Sequence, residues 1–227
     1  MHNFKWGILF RVISFILVFV LLNVLLAFFM VPPPFQVRLM MHEMYNQKEN
    51  IDVVFVGASH CYRSFDPSVI DGILEKNTFN MGSSSQSIKG SYFLLKELFN
   101  KNRTQKVILE VSWPMFNTYD WTQNPTADYI LFDFYKFSLN KIDYFFCAFQ
   151  EKYYLDAIFP ALRYLTSSSS AIENAKEKLS WAYREFDYSS SSGSDSKYMG
   201  KGFVYSNNKL ERDRIGKLNP YTWSRNQ

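Results

Sequence analysis

The sequence predicts an α/β domain built on a short parallel sheet and preceded by one transmembrane helix. Three observations carry this. An uncharged apolar run extends from Val12 to Val31, strand and helix patterns alternate from Ile51 to Val111, and the composition is that of a folded protein. The chain has 227 residues, 47% of them hydrophobic and 20% charged, with a net charge of +4, which excludes a disordered protein. Its 2 cysteines are too few for a disulfide scaffold. Lys5 and Arg11 precede the first acidic residue, Glu43, leaving 23 bases against 21 acids from Val12 onward. No concentrated basic face marks a nucleic-acid binder.

The apolar run VISFILVFVLLNVLLAFFMV has only Ser14 and Asn23 as polar members. At about 1.5 Å per residue a helix of this length spans a hydrocarbon core of roughly 30 Å. Pro32, Pro33 and Pro34 stop it, because proline cannot continue the hydrogen-bond ladder. A cleaved signal peptide has a shorter apolar region, about 7–15 residues, and a small-residue cleavage site. Here the end reads Phe29-Met30-Val31-Pro32, which favours an uncleaved anchor. Lys5 and Arg11 lie before the run, and Arg38 is the only base in the fifteen residues after it. The positive-inside rule then puts residues 1–11 in the cytoplasm and 35–227 outside, in a single-pass protein of the cell membrane. Residues 12–31 are the anchor, 32–50 a stem and 51–227 the domain.

IDVVFVG (Ile51–Gly57) is a short β-branched apolar run, as expected of a strand buried on both faces. PSVIDGILEK (Pro67–Lys76) is helical, with Asp66 placed to cap it and proline in the first turn. TFNMG (Thr78–Gly82) is a second strand. Ser87–Lys101 spaces Ile88, Tyr92, Leu95 and Phe99 at helical intervals, and KVILEV (Lys106–Val111) is a third strand. Strand, helix, strand, helix, strand in this span signals a parallel sheet with right-handed crossovers.

The regularity changes after Ser112. Trp113–Asp128 reads as a loop. Residues 129–165 hold thirteen aromatics in thirty-seven residues, an aromatic helical insertion whose stripe is core or faces a bilayer. Two serine-rich stretches, Ser167–Ser170 and Ser189–Ser196, flank a charged helical piece, and such runs are surface loops. The tail offers one short strand, GFVY, and no further strand is expected.

Ligands of open α/β sheets bind beyond the carboxyl ends of the strands. The first strand runs into Gly57-Ala58-Ser59-His60, the second into Gly82-Ser83, the third into Glu110-Val111-Ser112-Trp113. Serine beside glycine suits acyl transfer, which needs a nucleophile and preorganised donors around an oxyanion. Each residue also has an ordinary structural reading. Ser59 can be a strand-end hydroxyl that satisfies backbone groups, Gly82 a tight turn, Ser112 a surface hydroxyl and Cys61 a small buried residue. Trp113 and Trp121 suit a sugar or glycerol unit, or plain packing. Cys61 and Cys147 are not expected to pair.

At these residues the chain resembles a known family. An apolar strand followed by GASH and Arg63-Ser64-Phe65-Asp66-Pro67, then FNMGSSSQS, then VILEVSW, is similar to the membrane-anchored branch of the SGNH (GDSL-like) hydrolases. The likeness is greatest to relatives of the D-alanyl-lipoteichoic-acid biosynthesis protein of Gram-positive bacteria, and it covers Ile51 to Trp113. It implies a three-layer, flavodoxin-like parallel sheet with Ser59 as nucleophile. It implies too an oxyanion hole formed by the N–H groups of Gly82 and Ser59. The family's third block supplies an asparagine donor where this chain has Glu110-Val111-Ser112, so Ser112 would replace it.

The family's Asp-x-x-His block is missing, because the only histidines are His2, His42 and His60. His60 neighbours Ser59 and is poorly placed as a direct base, and His42 lies in the stem, so the general base is unassigned. We expect the sheet and the catalytic block to be incomplete at the C-terminus together. The resemblance implies an extracytoplasmic serine esterase or O-acyltransferase that acts on teichoic acid or surface polysaccharide through an acyl-enzyme. It needs no metal or organic cofactor, and a multi-span membrane O-acyltransferase is a possible partner. The alternative is a non-catalytic or truncated anchored relative that binds an envelope polymer or such a partner.

Overall fold

The computed structural model describes residues 2–33, 36–111, 125–165, 170–188 and 196–207. Helix α1 (His2–Met30) is unbroken and starts well before Val12, since Ile8, Leu9 and Phe10 carry the apolar surface back past Arg11. Its stretch Gly7–Met30 is unburied and has the length and composition of a signal anchor or single membrane span. The end of α1 is held by a distant helix, α9 (Ala171–Leu179). Lys178 Nζ donates to the carbonyls of Ala27, Phe28 and Val31, and Asn174 Nδ2 to those of Phe29 and Met30, all within 3.3 Å. Those of Phe28, Phe29 and Met30 are last-turn carbonyls that a helix leaves without intrahelical partners, while Ala27 O also accepts the Val31 N–H at 3.1 Å; a lysine also complements the negative end of the helix dipole.

Residues read from the sequence as stem form α2 (Gln36–Asn46), which buries Val37, Met40, Met41 and Met44 along one face. They join the main core with strand β1 (Val53–Val56) and helix α5 (Ile88–Phe99). The parallel sheet has three strands in the order β2-β1-β3, with β2 at Thr78–Asn80 and β3 at Lys106–Leu109. In register, Val54 sits between Phe79 on one side and Val107 on the other. As the apolar run predicts, β1 is buried throughout, whereas every residue of β3 is exposed. Helix α4 (Pro67–Leu74) begins where expected, with Asp66 accepting the N–H of Ser68.

The open edge of β2 is covered by a hairpin that the serine-rich sequence concealed. β4 (Ser196–Gly200) pairs antiparallel with β5 (Phe203–Ser206), which contains the expected FVY, so two strands form here, outside the parallel sheet. The turn residues Lys201 and Gly202 have φ of 47° and 82°, the two positive values of a type I′ turn. Asn80 N–H donates to Lys201 O at 2.9 Å, and Lys201 Nζ reaches Asp71 and Asn77 from the turn.

The aromatic region is largely core. Helices α6 (Thr126–Phe134) and α7 (Leu139–Ala148) pack Tyr129, Tyr135, Tyr144 and Phe149 against Phe93 of α5. Buried among them, Asp128 accepts from Tyr144 Oη at 2.7 Å and from Ser87 Oγ at 3.1 Å. Burial raises its pKa, and these two donors only partly oppose the shift. A carboxyl raised on folding contributes stability that is complete below its unfolded pKa and fades as pH rises through the folded value. Asp128→Asn is therefore expected to lose less stability than the parent between mildly acidic and neutral pH. Unfolding temperatures across that range measure the difference, and parallel curves would refute it.

Candidate functional site

The three strand ends meet through backbone bonds that continue the sheet. Met81 N–H donates to Phe55 O at 2.7 Å, Ser83 N–H to Gly57 O at 3.2 Å and Glu110 N–H to Val56 O at 2.8 Å. Beyond Gly57 the chain turns directly into a short helix, α3 (Ser59–Ser64), rather than a loop. Ser59 is its first residue and half-buried, and its hydroxyl takes no hydrogen bond among the described residues. The position before it is Ala58, which has no capping side chain.

The residue that organises this corner is Glu110, which the sequence offered only as part of a degenerate third block. Its side chain folds back over the start of α3, and Oε2 accepts the Ala58 N–H at 2.8 Å. Oε1 lies 3.9 Å from His60 Nδ1; the carboxylate side chain is 16% exposed and the imidazole 74%. Gly57 makes room for this approach, because a Cβ there would stand 2.6 Å from Glu110 Oε2 and 2.7 Å from its Cβ. Gly57→Ala should therefore displace the carboxylate and destabilise the domain by about 1–3 kcal/mol, the cost of overpacking. Thermal unfolding checks this, and an unchanged midpoint would contradict the packing described.

Cys61 is free and wholly buried, and its Sγ donates to Asn80 Oδ1 at 3.3 Å. Burial first, then the charge of Glu110, push its thiol up to about 12. A thiol held neutral in this way is no nucleophile, so Cys61 is not the attacking group.

Gly82 packs on α3, where a Cβ would lie 2.8 Å from Cys61 Cβ and 2.9 Å from Tyr62 N. Its N–H, the oxyanion donor that the resemblance implies, donates to Asn80 Oδ1 at 3.0 Å, and its carbonyl accepts from Gln36 Nε2 at 2.7 Å. In the structure that donor is engaged. Asn80 is the second residue that sequence reasoning passed over. Its Nδ2 donates to the carbonyls of Cys61 and Phe65, both at 2.9 Å, tying α3 to the end of β2. The one available signal was an asparagine closing an apolar strand.

Ser112, Trp113 and Trp121 lie outside the described residues. His42 lies on α2, its ring stacked 3.5 Å from that of Phe186, and burial followed by the charges of Arg38 and Lys136 lowers its pKa. His2 is the first residue of α1. Among the described residues no three His, Cys, Asp or Glu side chains converge as metal ligands. Neither protein-family models, curated proteins nor solved structures match this chain. What the corner can do is therefore read from its own chemistry: an unbonded hydroxyl at the end of a central strand, with an imidazole and a partly buried carboxylate beside it.

Proposed function

We propose that the chain is a membrane-anchored serine esterase or O-acyltransferase of SGNH type that works through an acyl-enzyme on Ser59. The observation that supports it most is Glu110. A carboxylate is fixed to the backbone N–H just before Ser59 and faces the imidazole just after it. In this reading Ser59 Oγ attacks the acyl carbonyl and passes its proton to His60 through one water, since adjacent side chains on a helix diverge. Glu110 Oε1 stabilises the imidazolium so formed. The tetrahedral intermediate expels the donor's alcohol, which takes the proton from His60. Water or an acceptor hydroxyl then attacks the acyl-serine by the same route in reverse. Cell-envelope polymers, teichoic acid or surface polysaccharide, are the substrate class suggested by GASH, FNMGSSSQS and VILEVSW together with an apolar helix fit to anchor the site.

One observation favours a second reading, a non-catalytic protein that binds an envelope polymer or a membrane acyltransferase. Among the described residues Ser59 Oγ has no hydrogen-bond partner, and so no base in direct contact. Treating the detergent-solubilised full chain with a fluorophosphonate and mapping the adduct by peptide mass spectrometry separates the two. Modification of Ser59 is expected; a folded chain left unmodified there would favour the second reading.

A further inference from the structure

The segment after α7 has an apolar outer side that the Ser59 corner does not use. It comprises α8 (Tyr154–Ile158) and a 3-10 turn (Pro160–Tyr164). From Tyr154 to Leu165 the exposed residues are Leu155, Ile158, Leu162 and Leu165, with no charged or polar residue among them. Of the segment's two charged residues, Arg163 is turned inward, its Nη2 donating to both carboxylate oxygens of Asp133 at 2.8 and 3.0 Å with only 9% of the side chain exposed, and Asp156 is half-buried in a pocket it shares with Tyr129 and Arg163.

The same segment lies along α1. The ring of Phe159 meets that of Phe19 edge-on at 5.4 Å, and the 3-10 turn packs on the helix. Phe19 is eleven residues before Met30, which puts this contact about 16 Å down the helix from its end. The 24 residues Gly7–Met30 measure about 36 Å as a helix against a core of roughly 30 Å. Even if the whole surplus of about 6 Å stood above the bilayer on the domain side, Phe19 would still lie about 10 Å inside the core.

We infer that Tyr154–Leu165 is a second membrane element. It rests in the leaflet that α1 enters from the domain side, with Leu155, Ile158, Leu162 and Leu165 among the acyl chains and Phe159 bridging to the span. The occupant of the stripe is lipid because the stripe is continuous with the exposed apolar surface of α1. This inference rests on α1 crossing a membrane and is independent of the chemistry at Ser59.

Nitroxide labels test it in the full chain carrying Cys147→Ser, which leaves only the buried Cys61 thiol. Ile158→Cys and Leu162→Cys are labelled, with Lys76→Cys as an exposed control on the domain. Each protein is reconstituted in phosphatidylcholine–phosphatidylglycerol vesicles. The labels at the stripe are expected to relax readily with oxygen and several-fold less than the control with a water-soluble nickel chelate, at a depth of about 10 Å. Nickel access equal to the control would overturn the inference. So would dipolar broadening between labels of neighbouring copies, which would assign the stripe to a second copy of the chain. Leu155→Cys and Leu165→Cys repeat the reading at both ends of the stripe, so that one unstable variant does not decide it.

Discussion

Ser59→Ala is expected to abolish fluorophosphonate labelling and to reduce ester hydrolysis to the uncatalysed background. The Ser59 hydroxyl makes no hydrogen bond among the described residues and the side chain is half-buried. Its removal should therefore shift stability by no more than about 0.5 kcal/mol. An activity loss without a stability loss marks a chemical role, which unfolding curves run beside the kinetics can establish. His60→Ala should lower the rate by about 10²–10⁴-fold, the range that positioned acid–base groups contribute. Glu110→Gln keeps an acceptor for the Ala58 N–H but removes the charge facing His60, so it should lose rate while keeping its fold. Hydrolysis of p-nitrophenyl acetate is a sufficient assay. Undiminished turnover in Ser59→Ala would end the esterase reading.

The largest effect on stability is expected at Gly202. Its φ is +82°, a region that costs a side chain about 1–3 kcal/mol. A Cβ there would also stand 1.7 Å from the carbonyl oxygen of Asn80, which cannot yield because Asn80 is part of β2. The hairpin must then lift from the sheet edge. That threatens the bond from Asn80 N–H to Lys201 O, the bonds from Lys201 Nζ and the bond from Gly202 N–H to Tyr198 Oη. With about 0.5–1.5 kcal/mol for each bond lost, Gly202→Ala should cost about 3–5 kcal/mol. That corresponds to a fall in Tm of roughly 6–20 °C for a domain of this size. Gly200, at φ +97°, is the control: the nearest atom to its Cβ would be Tyr188 Oη at 3.3 Å, so Gly200→Ala meets no backbone and should cost less. Equal losses at the two glycines would show that the contact with Asn80 is not what matters.

What the sequence disclosed follows from how local each cause is. β1 announced itself because burial on both faces needs an unbroken apolar run, and α4 because its cap, Asp66, and its proline stand next to its first turn. α2 did not, because its buried Met40, Met41 and Met44 alternate with Arg38, His42 and Glu43 beside a membrane run that drew the eye. β4 was hidden because it begins at the last residue of a serine-rich stretch. At the site, the strand ends pointed to Ser59 and Gly82, and the structure packs Gly82 on Cys61 and Tyr62 of α3, the helix that Ser59 begins. The bond from Gly82 to Asn80 and the return of Glu110 over Ala58 were not legible, because each depends on a side-chain direction. The hold of Lys178 on α1 spans some 150 positions of sequence, a separation at which no spacing rule operates.

That hold has a mechanical meaning. If α1 crosses a membrane, a domain fastened to its last carbonyls by Lys178 and Asn174 is mounted on a post and not hung from a string. Its reach is then set by the few nanometres of its own body. A substrate of the proposed Ser59 site would then have to be carried to it across the membrane surface, by a search in two dimensions, or pass within that short radius.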